Sequence, residues 1–182
     1  MGPFLAYSRA VDKISAAFGW IAEWMVLGAC AISAGNAVVR YSVNYSSNAW
    51  LEVQWYLFAG IVMLGASYTL LRNEHVRVDL LFGTLSPRAK LWVDVFGIIF
   101  FLLPAMTMLT WMTWPFFLDA FLRNEQSSNA GGLLRWPVKL VLPIGFLLLM
   151  LQGLSELIKR IALLRGIQPS GEVVTEYTRH DQ

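Results

Sequence analysis

Four long apolar runs dominate the chain, and most polar residues fall between them. The runs are 19–39 (GWIAEWMVLGACAISAGNAVV), 51–71 (LEVQWYLFAGIVMLGASYTLL), 92–114 (WVDVFGIIFFLLPAMTMLTWMTW) and 138–158 (VKLVLPIGFLLLMLQGLSELI). Each is about 20 residues long, the length a helix rising ~1.5 Å per residue needs to cross a hydrocarbon core ~30 Å thick. None alternates apolar and polar side chains at every second position, as the strands of a membrane barrel do. Backbone polar groups in hydrocarbon need internal partners, so the runs predict helices. The expected fold is an all-α integral membrane protein with four transmembrane helices.

The segments between the runs refine this outline. Residues 4–18 set Phe4, Tyr7, Val11, Ile14 and Phe18 at helical spacing, with Arg9, Asp12 and Lys13 mostly off that face. The pattern predicts an N-terminal amphipathic helix lying at the membrane interface, or else a plain extension of the first span. Ser86-Pro87 has the form of an N-cap followed by proline at the first helical position, so the third helix is expected to start near Pro87. Pro104 and Pro143 fall inside the third and fourth spans and predict bends. Gly28, Gly35, Gly60 and Gly65 offer small surfaces for helix packing. Residues 115–137 form the longest connection, with RNEQSSNAGGLLRWP as its flexible part. The membrane domain is expected to cover 1–166, and the polar tail 167–182 to be disordered.

Composition agrees with lipid as the solvent. Hydrophobic residues make up 57% of the 182 and charged residues 14%, against the ~25% charged usual in soluble domains. The net charge of +2 gives no footing for nucleic acid. Cys30 lies in an apolar run and is expected to be a buried, inert thiol. Four spans put both termini and the middle connection on one side, with Arg9, Lys13, Arg72, Arg77, Arg88, Lys90, Lys159, Arg160, Arg165 and Arg179. The other side has only Arg40, Arg123, Arg135 and Lys139. The excess predicts cytoplasmic termini. The tryptophans cluster near the predicted span ends, where amphipathic rings prefer to sit.

Little catalytic chemistry is present. His75 and His180 lie in a connection and the tail, and no metal-ligand, phosphate-loop or nucleophile motif occurs. No catalytic, cofactor-binding or metal residue is therefore expected, and the chain does not read as an enzyme. Glu23, Glu52, Asp94 and Glu156 all fall near the ends of the apolar windows, where a carboxylate reaches water. At the bilayer centre a charge would cost at least ~2.5–3.5 kcal/mol. Glu156 and Arg160 form a favourable i,i+4 pair. Arg40 and Glu52 bracket the first outer turn and are expected to form an ion pair. A self-contained four-helix exporter, with Glu23 as its membrane carboxylate, is the alternative to a supporting subunit.

One stretch, 40–81, has a more specific character. Arg40-Tyr41 follows the first span, and Trp50 and Glu52 open the second. Gly65-Ala66 lies in the second half of that span, and Arg72, His75, Arg77 and Asp79 form a charged turn after it. This run resembles the small, Q-type membrane subunit of tripartite ATP-independent periplasmic (TRAP) transporters. It departs from the pattern at Glu52-Val53, where many members have two adjacent acids. The resemblance implies a non-catalytic subunit in a bacterial inner membrane, scaffolding a large membrane subunit. That partner would carry the sodium and substrate sites, and a periplasmic binding protein would deliver an organic acid. Arg72, His75, Arg77 and Asp79 would then anchor the charged turn to headgroup lipid and the large subunit. Asp119, Arg123, Glu125 and Arg135 would be the contacts for the binding protein.

Overall fold

The computed structural model describes residues 2–45, 47–75 and 84–167. They form four helices: α1 (Gly2–Val43), α2 (Asn48–Leu71), α3 (Pro87–Leu122) and α4 (Trp136–Leu164). All four are long and apolar enough to cross a membrane. Arg77, Asp79 and the tail from residue 168 lie outside the described residues.

Local chemistry fixes where the helices stop and start. Asn44, Asn73, Asn124 and Gly166 follow the ends of α1, α2, α3 and α4, each in the left-handed conformation (φ 52°, 55°, 47° and 73°). Glycine adopts this conformation freely, and asparagine tolerates it better than other side chains. After three of the helices the chain then folds back on the last turn. Glu74 N–H reaches Thr69 O and Asn73 N–H reaches Leu70 O. The same pair recurs as Glu125 to Ala120 with Asn124 to Phe121, and as Ile167 to Ala162 with Gly166 to Leu163. These bonds satisfy carbonyls that a helix end would otherwise leave bare. At the start of α3 the Ser86 hydroxyl accepts from Ala89 N–H at 3.3 Å, with Pro87 at the first helical position, as the sequence predicts.

α1 runs unbroken for 42 residues, about 63 Å at ~1.5 Å per residue. Residues 4–18 are its first turns and not a separate interfacial element; no proline interrupts them, and their polar stripe is bound along α4. α3 extends to Leu122, past Pro115 and beyond the window ending at 114. It widens to a π turn over Ile98–Leu102, where Leu103 N–H bonds Ile98 O. Pro104 has no N–H to continue the α pattern, so the expected disturbance takes the form of an expanded turn.

α4 is the hub. It packs against the other three helices, while α1 and α2 pack on each other and α3 lies chiefly on α4. In its most apolar stretch 39% of residues are buried, against 11–22% in the other three. Much of the large apolar side chain on α1, α2 and α3 therefore faces outward, including Trp24, Trp55, Val62, Phe101 and Trp111. Cys30 is exposed on α1, contrary to the buried thiol expected.

Small residues set the closest helix approaches. A Cβ on Gly145 of α4 would stand 2.7 Å from both the Cβ and the carbonyl oxygen of Met63 in α2. Gly19 is closed off by Tyr68 and Gly153 by Leu102, the last residue of the π turn. Of the four glycines singled out by sequence, only Gly60 is tightly covered, by the flexible end of Met25, while Gly35 has nothing within 4 Å. Gly145→Ala should therefore lower thermal stability in detergent by an amount typical of overpacking, about 1–3 kcal/mol. Gly35→Ala should be neutral or raise stability by roughly 0.5–1 kcal/mol. A differential melting measurement on the two variants checks the contrast.

Candidate functional site

Two polar clusters occupy opposite ends of the helices. The first lies towards the end that holds the start of α1, the end of α2 and the start of α3. Along α4, Gln152, Ser155, Glu156, Lys159 and Arg160 fall at helical spacing, and all five are buried. Ser8, Asp12 and Ser15 of α1 form the matching stripe. Ser15 Oγ donates to Gln152 Oε1 at 2.8 Å, and Gln152 Nε2 donates to Asp12 at 3.0 Å and Glu156 at 3.1 Å. Ser155 Oγ donates to Asp12 at 3.0 Å and lies 2.6 Å from Ser8 Oγ.

Lys159 binds Asp12 and Glu156, each at 2.8 Å. Arg160 pairs with Glu156 through one nitrogen and with Asp94 of α3 at 2.9 Å through another. Three carboxylates and two cations from three helices thus form one connected lattice. In a low-dielectric interior such groups persist because they are paired and hydrogen-bonded. The sequence exposes the Glu156–Arg160 pair but not the rest. The sequence reads the apolar stripe of α1 as its membrane-facing side, and Phe4 and Ile14 are indeed exposed, but Val11 of that stripe is buried together with Ser8 and Ser15.

The second cluster organises the connection 123–135, which the sequence marks as flexible. Glu52, buried near the start of α2, accepts from Ser127 Oγ, from Asn129 Nδ2 at 2.8 Å and from Leu133 N–H at 2.7 Å. Tyr56 OH donates to Leu134 O at 3.0 Å, and Asn48 Nδ2 to Ala130 O at 3.2 Å. Within the connection, Ser127 N–H bonds Leu133 O and Arg135 N–H bonds Glu125 O, a short hairpin-like closure. Among the described residues Arg40 is not a partner of Glu52. It is exposed in the last turn of α1, and donors from the connection surround the carboxylate.

Of the other outer charges, Asp119 and Arg123 form an exposed i,i+4 pair at 2.8 Å. Glu125 binds Lys139 and lies 3.5 Å from Arg135. The Lys139 hydrogen bond holds the Glu125 carboxyl below the ordinary glutamate range, outweighing partial desolvation. Lys139 also sits over the Phe116 ring, 4.0 Å from its centre. At the opposite end, the Arg72 guanidinium lies 5.9 Å from the centre of the Tyr68 ring. His75 is exposed in the turn that follows.

Glu23 departs from its expected place near a helix end. Ala22 faces Gly65 and Met25 covers Gly60, so Glu23 is level with the middle of α2. The apolar window started at residue 19 and put Glu23 at its edge, but the helix begins at Gly2. Its side chain points outward from α1, exposed beside a groove between α1 and α2.

Four membrane-length helices with polar clusters at the two ends define a small multi-pass membrane protein. Residues 29–163 match the DctQ component of tripartite ATP-independent periplasmic transporters, and the chain belongs to that family. It is thus the small membrane component of a TRAP transporter. No curated protein and no solved structure matches the chain.

Removing one partner from the buried lattice should be far costlier than removing a surface charge. Lys159→Met leaves Asp12 without a cation and removes one of the two that Glu156 binds, and should destabilise by about 3–5 kcal/mol. Lys159→Met with Asp12→Asn should recover part of the loss, read as detergent melting temperature. The outer connection should respond to acid. Glu125 has a depressed folded pKa, so its contribution is present above the ordinary glutamate pKa, ~4.3, and is lost as pH falls through the lower folded value. Amide exchange in 123–135 should accelerate over that acid range, and less so in Glu125→Gln.

Proposed function

We propose that the chain is a non-catalytic scaffold. It would widen and steady a large permease subunit that carries out sodium-coupled uptake of an organic acid delivered by a periplasmic binding protein. The observation that supports this best is the split between its inside and outside. The charges of Asp12, Asp94, Glu156, Lys159 and Arg160 are consumed in a fixed internal lattice. The outward faces of α1, α2 and α3 expose many large apolar side chains, Trp24, Trp55, Val62, Phe101 and Trp111 among them. A rigid insert with apolar flanks suits packing against another membrane protein and surrounding lipid.

The Lys and Arg distribution favours a bacterial inner-membrane placement with both termini cytoplasmic. Residues 1–166 would form the membrane domain and 167–182 a polar tail. Arg72 and His75, with Arg77 and Asp79, would then anchor the cytoplasmic turn to headgroups and the large subunit. Asp119 and Arg123 would face the periplasm and offer exposed charge to the binding protein. Glu125 and Arg135 would hold the connection in the shape that presents them. A self-contained exporter would need Glu23 to line a passage within the bundle, whereas it faces outward. Proteoliposomes containing this chain, the large subunit and the binding protein should accumulate substrate only under an inward sodium gradient. Liposomes with this chain alone should accumulate none, and uptake by the chain alone would refute the scaffold role.

A further inference from the structure

Glu23 is the feature that this role does not absorb. It lies eleven residues beyond Asp12, about 16 Å along α1, and level with the middle of α2. Among the described residues it has no ion-pair or hydrogen-bond partner, in contrast to Asp12, Asp94 and Glu156. It also precedes the stretch 29–163 that matches the family. An ionised carboxylate at that depth is costly facing lipid and becomes stable when a cation pairs with it.

The surroundings suit an incoming helix. Glu23 borders a groove between α1 and α2 lined by Gly19, Ala22, Val26, Val62, Gly65 and Ala66. Gly65 and Ala66 keep part of its wall low, whereas Gly19 is covered by Tyr68 and Ala22 packs on Gly65 within the chain. Val26 and Val62 remain exposed there, and Trp20 and Trp24 stand exposed alongside.

We propose that this groove receives a transmembrane helix of the large permease subunit, and that a Lys or Arg on that helix pairs with Glu23. The inference rests on the subunit role above and adds the docking face and the chemistry of its anchor. A helix of this kind offers apolar surface to the exposed Val26 and Val62 and the charge that Glu23 lacks. A second copy of this chain would instead bring a second carboxylate to the same place.

The test uses the full complex, with the tagged chain coexpressed with its large subunit. Glu23→Lys should cut recovery of the large subunit roughly tenfold or more, as expected for like charges forced together at depth. Glu23→Gln should reduce it less. Because Glu23 has no polar partner among the described residues, both variants should keep the wild-type melting temperature when purified alone. A photoreactive benzoylphenylalanine at Val26 should crosslink to the large subunit, and one at Phe101, exposed on α3, should not. Full recovery with Glu23→Lys would overturn the proposal. So would crosslinks from Phe101 but not Val26, or a Val26 crosslink between two copies of the chain. If the wild-type pair does not form at all, the subunit role fails and the docking face fails with it.

Discussion

The arrangement of the helices depends on the ionic lattice around Glu156. Lys159 ties α4 to Asp12 of α1, and Arg160 ties the same turn of α4 to Asp94 of α3. Glu156 accepts from both cations and from Gln152, so no charge in the lattice can move without exposing another. In water such pairs contribute little, because solvent screens them and competes for them. Between membrane helices the alternative to pairing is a bare charge in a poor solvent, and the geometry becomes obligatory. The apolar contacts fill space around this lattice but do not choose its partners.

That constraint turns the usual burial pattern around. In a soluble bundle the apolar stripe of a helix marks its inner face. Here lipid accepts apolar side chains as readily as the protein interior does, and what needs shelter is polar or small. Ser8, Ser15, Ser67, Gln152 and Ser155 are buried, whereas Trp55, Phe101 and Trp111 are not. The helices meet where glycines let them, at Gly19, Gly145 and Gly153, and their outer surfaces are left for other hydrophobic neighbours.

The same reversal explains what could be read from the sequence. The four spans follow from apolar length alone, and Ser86-Pro87 marks the start of α3 through local rules that do not depend on solvent. The family character of 40–81 lies in residues that close the second span. Asp12 and Gln152 were hidden because a polar stripe on a helix flank normally signals water. Sequence proximity pairs Glu52 with Arg40, whereas its donors come from 127–133, some eighty positions away. The connection 123–135 carries every composition mark of a loose loop, yet one buried carboxylate gathers its donors into a fixed shape. Glu23 reads as terminal because an apolar window shows where hydropathy rises, not where the helix, which runs from Gly2, starts.

The π turn at Ile98–Leu102 carries its own implication for α3. A π turn takes in one residue more than the α pattern needs, and it confines the extra rotation to a few positions. Asp94 before it and Leu102 at its end both still meet α4, at Arg160 and Gly153. The widened turn therefore acts as a phase correction between two contact sets of different character, one ionic and one steric. Either half of α3 keeps its own register on α4 without dictating that of the other.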